Sequence, residues 1–258
     1  MNDVRPPVAA GYFYPAGAID LAETVDGLLA TCRPPRTGGA LRALVVPHAG
    51  YVYSGAVAAA AFAAIDMGRR VALLGPSHFV PLRGVAVSGA RAWRTPLGVV
   101  PVDPELRSNA VAAGAVVDDG PHVHDHALEV ELPFLQRRVG DTLGILPAAV
   151  GAGLEATASV VAALAPDALI VVSSDLSHYL DDATARTVDR RTAQAVVDLD
   201  DEAIGDRDAC GAHALRGLLA HARRAGWTCT LIDLRTSADA TGHRERVVGY
   251  GAFALTDT

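Results

Sequence analysis

This chain reads as an α/β domain built on a largely parallel sheet, and three observations predict it. Short β-branched runs alternate with Ala-rich stretches of helical periodicity along most of the length. Each strand candidate is short and mostly apolar, as a sheet covered on both faces requires. The 258 residues are 50% hydrophobic and 20% charged, enough to bury a substantial core and to exclude disorder over most of the chain. The length suits one large α/β domain or two small ones; with no internal repeat and no low-complexity linker, we read a single domain over residues 1–258.

The elements follow in order. After a Pro-rich stretch from Arg5 to Pro35, the first strand runs from Leu41 to Val46 and the second from Val71 to Leu74. Further strands are predicted over Gly84 to Val87, Leu143 to Val150, Ala168 to Ser173, Thr228 to Leu234 and Val247 to Ala254. Helices are expected where Ala, Leu, Glu and Arg accumulate behind a cap: Ser54 to Met67, Pro104 to Ala113, His126 to Arg138 and Leu154 to Leu164. Asp182 to Leu199 and Cys210 to Arg224 add two more, both periodic with charged outer positions.

Charge and composition exclude several functions. With Lys+Arg 22 against Asp+Glu 29 the formal charge is −7, and no Lys/Arg run exceeds two residues, so nucleic acid is not an expected partner. Every one of the 22 basic residues is Arg; with no Lys, Schiff-base chemistry and a P-loop lysine are ruled out. The apolar runs are broken by Gly, Pro, Asp or Arg well before the length of a membrane span, and the first residues lack a signal core. Three Cys cannot all pair within one chain, so a soluble protein of the reducing cytoplasm is expected.

In an open α/β sheet, ligands gather beyond the carboxyl ends of the strands. The first strand runs into Pro47-His48-Ala49-Gly50-Tyr51, the second into Gly75-Pro76-Ser77-His78, and the fifth into Ser173-Ser174-Asp175-Leu176-Ser177-His178-Tyr179. Pro and Gly beside the first two histidines turn the chain at the rim of a crevice. Any one of these histidines alone is as well read as a packed or surface residue; three at one sheet edge point to a site.

A fourth cluster, Asp118 to His126, is dense in acids and imidazoles. A solvated loop with Asp125 as helix N-cap accounts for His124 and His122. His126 is expected in the first turn of the following helix, directed toward a site with Glu129 one turn later on the same face. Cys210, at the predicted start of a helix, is placed where the macrodipole favours thiolate and so suits nucleophilic attack or metal ligation; a buried inert thiol is the alternative. Cys32 and Cys229 are assigned to structure.

These motifs resemble the Memo family, whose microbial members carry the label AmmeMemoRadiSam system protein B. The resemblance rests on Pro7 to Pro15, Pro47 to Gly55, Leu74 to His78, Thr95 to Gly98, His126 to Glu129 with Leu132 to Leu135, Ser173 to His178, and Cys210-Gly211, in family order over nearly the whole chain. It implies a three-layer α/β/α fold with a central, mostly parallel mixed sheet, related to class III extradiol dioxygenases, which hold non-haem iron on two histidines and a carboxylate. It also implies a site of two histidines and a cysteine: His48, His78 and Cys210 as metal ligands. His178 would be the acid/base group, Asp175 would orient it or a bound water, and His126 would be a further pocket histidine. Phe79 stands where a second His is common, and Asp125-His126-Ala127 where Glu-His-Ser is usual.

The function expected on these grounds is a metal-dependent oxidoreductase-like activity on a small molecule. Iron or copper is the expected metal, and zinc also suits a thiolate donor. The competing expectations are a peptide- or protein-binding module that keeps the pocket without catalysis, and sequestration of a redox metal. The family label implies a radical-SAM partner; this chain has no CxxxCxxC motif of its own. A hydrolase built on Ser173 or Ser174 with His178 and Asp175 is disfavoured, because no Gly-x-Ser-x-Gly turn is present and a Ser four or five positions from its own His needs an unusual loop to meet it.

Overall fold

Four apolar runs form the parallel centre of the sheet. The computed structural model describes residues 3–33, 38–65 and 70–257. Among them the strands, in chain order, are β1 (Val4–Arg5), β2 (Leu41–Val46), β3 (Arg70–Pro76), β4 (Val85–Val87), β5 (Ala92–Thr95), β6 (Gly98–Pro101), β7 (Val116–Val117), β8 (Gly144–Val150), β9 (Leu169–Ser173), β10 (His178–Leu180), β11 (Thr228–Thr236) and β12 (Val247–Thr256). The helices are α1 (Ala18–Ala30), α2 (Tyr51–Phe62), α3 (Pro104–Ala112), α4 (Leu132–Val139), α5 (Leu154–Leu164), α6 (Asp182–Val197), α7 (Ala212–Ala225) and α8 (Ser237–Thr241).

In the large sheet β2, β9, β3 and β8 lie side by side in that order, all parallel. Antiparallel strands flank them: β4 joins β8, and β12 joins β2 and in turn carries β10 and β11. The central strands are almost completely buried, which is why their sequences are runs of Val, Leu, Ile and Ala rather than alternations. A small sheet of β1, β5 and β6 lies apart.

Two groups of helices cover the sheet in a three-layer α/β/α arrangement. In one, α1, α2 and α4 pack together, with α2 against β2, β11 and β12; in the other, α3, α5 and α7 pack together, with α7 against β3 and β9. Helix α6 lies along β11 and β12. Local chemistry sets the helix starts. Asp103 accepts hydrogen bonds from the N–H groups of Glu105 and Leu106 ahead of α3, and Asp181 accepts from Thr184 ahead of α6. Among the described residues no helix is long and apolar enough to cross a membrane.

The expected strands and most expected helices are present within a few residues; the end of the helix expected over Ser54 to Met67 and the end of the Pro-rich stretch lie outside the described residues. One helix differs. Residues 127–131 form turns and α4 starts only at Leu132. A helix from His126 would place Pro133 in its interior, with the ring against the Glu129 carbonyl; starting at Leu132 puts Pro133 in the first turn, where its missing N–H costs nothing.

Candidate metal centre

Because β2, β9 and β3 are adjacent and parallel, with Val46 beside Ser173 and Leu74 beside Val172, the three loops singled out in the sequence leave the sheet at the same edge. From β2 comes His48, which is buried. Its main-chain N–H donates to Asp175 Oδ1 at 2.9 Å, and its Nδ1 lies 2.7 Å from Ser173 Oγ. That hydroxyl is also 2.8 Å from both Ala127 O and Glu131 Oε1. One hydroxyl proton serves only one of them. Burial pushes the Glu131 carboxyl well above the ordinary range, and Ser173, accepting Nδ1–H from His48, has its own proton for either Ala127 O or Glu131. Burial, with His78 and His126 close by, holds the His48 pKa well below its usual value, leaving a neutral ring whose Nε2 lone pair faces Cys210 Sγ.

His78 follows β3 and is held by Asp125. Its main-chain N–H donates to Asp125 Oδ2 at 2.7 Å and its Nδ1 lies 3.1 Å from Oδ1, which also accepts from the Ala127 N–H at 3.0 Å. Burial raises the Asp125 pKa, but the hydrogen bonds and charge from His78 and the two N–H donors outweigh it and hold the carboxyl at about 2. Asp125 is therefore the carboxylate that fixes the His78 ring with Nε2 outward, a role the sequence reading gave to helix capping. Asp125→Asn keeps one acceptor oxygen but removes the charge behind the His78 ring and turns an amide NH2 toward an N–H donor, and it is expected to weaken metal retention by about 10- to 100-fold without loss of fold, measured by competition with a chromogenic chelator.

The loop after β9 supplies Asp175 and His178. Asp175 is buried and turned toward the main-chain N–H groups of His48 and Ala49; burial, partly offset by those donors, lifts its pKa to about 7. It does not orient His178. That task falls to the Leu176 carbonyl, 2.8 Å from His178 Nδ1, which leaves Nε2 as the free acceptor. Ser174 Oγ donates to Asp175 O and Ser173 meets His48, so neither serine makes a hydrogen bond to His178.

Cys210 reaches the same point from the loop before α7. Its N–H donates to Asp175 O, the Gly211 N–H donates to Ser174 Oγ, and the Asp175 N–H donates to Cys210 Sγ at 3.2 Å. The approach is so close that a Cβ on Gly211 would lie 2.7 Å from that of Ser174 and 2.9 Å from Ser173 O; glycine is required there. The expected helix start is corrected: α7 begins at Ala212, and burial, with the Asp175 carboxyl nearby, pushes the thiol pKa up rather than down. A thiolate here needs a cation beside it.

His126 lines the cleft, although not from a helix. Its ring stacks on His78 at 5.1 Å and on Phe13 at 4.0 Å, and burial lowers its pKa to about 4. Glu129 faces away from the site. It is completely buried, pairs with Arg5 at 2.6 Å, and accepts from the N–H groups of Val8 and Ala9 and from the Tyr14 hydroxyl. His124 is exposed as expected, but His122 is buried against Trp93 with Nε2 3.1 Å from Ala86 O.

Thus His48, His78, His126, Asp175, His178 and Cys210 all line one cleft of about 780 Å³. The donor atoms of His48, His78 and Cys210 lie within 4.8 Å of one another, with Sγ 3.3 Å from His48 Nε2. Two imidazoles and a thiol fit a soft or borderline transition metal, for which bond lengths of about 2.0–2.3 Å put neighbouring tetrahedral donors roughly 3.3–3.8 Å apart, as Sγ and His48 Nε2 already are. His78, Asp125 and His126 form a second close group, but the Asp125 oxygens are already engaged by N–H donors and serve better as a support behind His78.

Fold and site together define a three-layer α/β/α protein whose imidazole and thiol groups gather at the carboxyl edge of its parallel strands. The chain belongs to the Memo family. The family model described as Memo-like protein matches residues 5–254. A MEMO1 family protein of Methanosarcina acetivorans is 34% identical, covering 98% of this chain and 99% of the relative. Another from Aquifex aeolicus is 35% identical over 96% and 97%, and one from Aeropyrum pernix 33% over 98% and 99%.

Proposed function

We propose that the protein holds iron or copper, with zinc as a competitor, on His48, His78 and Cys210, and that it carries out oxygen- or redox-linked chemistry on a small molecule bound beside His178. The observation that carries this reading is the convergence of three donors from three separate loops, two of them with a partner fixing the remote ring nitrogen. A bound redox metal would supply electron transfer and Lewis acidity at the floor of the cleft. The protein's own residues do the rest. The Leu176 carbonyl sets the His178 tautomer so that Nε2 accepts a proton from bound substrate, and Asp175 secures the main chain of His48 and Ala49. His126 and Phe13 wall one side and limit water.

The thiol in place of a carboxylate separates this site from the extradiol dioxygenases, so catechol cleavage is not the proposed reaction. His178→Ala is expected to retain metal while lowering reductant-dependent oxygen uptake by at least about 100-fold. Equal loss of metal would make His178 a ligand and overturn its assigned role. The peptide-binding reading draws on a second cleft of about 920 Å³ that shares Phe13 and Tyr53 with the first and offers the exposed Tyr12 and Val52. Oxygen uptake unaffected by His178→Ala would favour it. The radical-SAM partnership implied by the family label belongs to the proposal as a source or consumer of the same small molecule.

A further inference from the structure

The floor of the cleft is made of buried or half-buried groups, whereas its rim carries exposed His243, Arg246 and Tyr179. The backbone builds this rim. β10 pairs with the start of β12 through a bulge, His178 opposite Val248 and Leu180 opposite Val247, so Tyr179 is the extra residue. Its φ of 62° lies in the left-handed region, a conformation that a side-chain-bearing residue adopts only where the surroundings impose it. Arg246, one residue before β12, places its guanidinium over the Tyr179 ring at 5.1 Å.

Charge makes this arrangement informative. Arg235 is paired with Asp233 and Arg244 lies within 4.0 Å of Asp182, but among the described residues Arg246 has no carboxylate within ion-pairing distance. Asp175 is the one carboxylate among the described residues lining the cleft, and its Oδ1 is turned to the His48 N–H in the floor. A chain of net charge −7 therefore keeps a free guanidinium at the mouth of its most chemically equipped cleft. Opposite charge must come from what enters. One planar fork matches one carboxylate; a phosphate dianion would call for a second fixed cation, and no other arginine lines the cleft among the described residues. Phe13, Tyr53 and Tyr250 offer apolar surface for the rest of such a molecule.

We infer that Arg246 is the specificity residue of this cleft and that the ligand is a small organic carboxylate, its apolar body against Phe13, Tyr53 and Tyr250 and its carboxylate on the guanidinium. This rests on the reading of the cleft as a substrate site, and its test does not depend on which metal is held. Benzoate, benzamide and phenyl phosphate are titrated calorimetrically into as-purified and chelator-treated protein, wild type and Arg246→Gln. Benzoate is expected to bind about tenfold more tightly than benzamide, and Arg246→Gln to abolish that difference while leaving benzamide affinity and metal content unchanged. Arg246→Lys, which keeps the charge but loses the fork, is expected to fall between. Equal affinity for benzoate and benzamide, no benzoate binding at millimolar concentration, or phenyl phosphate bound more tightly than benzoate would each overturn the assignment. If the metal reading alone is wrong, as-purified protein carries no near-stoichiometric metal while benzoate binding and its dependence on Arg246 persist.

Discussion

Protein carrying Cys210→Ala or His48→Ala is expected to be purified with almost no iron, copper or zinc, where the wild type carries close to one equivalent. Each substitution removes a donor atom rather than a support behind one, so the loss should exceed the roughly 10- to 100-fold that follows loss of a supporting partner. Neither is expected to unfold the chain. Cys210→Ala leaves the Asp175 N–H without its sulfur acceptor, a cost of about 1–3 kcal/mol. His48→Ala leaves Ser173 still bonded to Ala127 and Glu131. Far-ultraviolet circular dichroism establishes that both remain folded, and elemental analysis of protein prepared without chelator gives the answer. Unchanged metal content in either folded variant removes that residue from the ligand set.

Glu129→Ala is expected to cost about 3–5 kcal/mol of folding stability. Glu129 is completely buried and Arg5 is 6% exposed, so truncation strands a charge in the interior. Arg5 retains carbonyl acceptors, His122 O at 2.7 Å and Asp125 O at 2.6 Å, but no counter-charge, and the N–H groups of Val8 and Ala9 lose their acceptor. Glu129→Gln keeps an oxygen for those donors and should cost less. The change also reaches the site, because the segment pinned by Glu129 carries Phe13, which stacks on His126 and whose carbonyl accepts from the Tyr51 N–H. Denaturant unfolding gives the value; a loss below about 1 kcal/mol would show that the pair contributes no more than an exposed one.

The parts of this architecture that were legible in the sequence are those fixed by local pattern. Leu41–Val46 was read with its observed bounds because a fully buried parallel strand is a continuous apolar run ended here by Pro47. The same logic places His48, His78 and His178 at one edge, since three strand ends that turn at Pro, Gly or Ser carry their next residues to the same rim. Helix α1 was hidden because the chain around it is Pro-rich; Pro6, Pro7 and Pro15 precede the helix and none lies within Ala18–Ala30, where Leu21 and Val25 are buried one turn apart. The β5–β6 hairpin was missed for want of an apolar run: Arg94 and Val99 are exposed, and only the turn Pro96-Leu97-Gly98 marks it.

Long-range pairings were out of reach of pattern. Asp125 looks like a helix cap in the sequence, and only the fold brings it 47 positions back to His78. Glu129 is one turn from His126 on a helical count; Pro133 prevents that helix, and the carboxylate instead anchors the N-terminal segment. Between the thiolate and the buried thiol that the sequence leaves open for Cys210, burial decides for the thiol. A helix start favours thiolate only where the sulfur meets open N–H groups and solvent, whereas here burial and the Asp175 carboxyl dominate.

The most direct test is X-ray absorption on protein loaded with one equivalent of zinc, whose bond lengths distinguish sulfur from nitrogen. The account predicts a single sulfur at about 2.3 Å together with nitrogen at about 2.0–2.1 Å, and loss of the sulfur shell in Cys210→Ser. A first shell of oxygen and nitrogen alone in the wild type would contradict it.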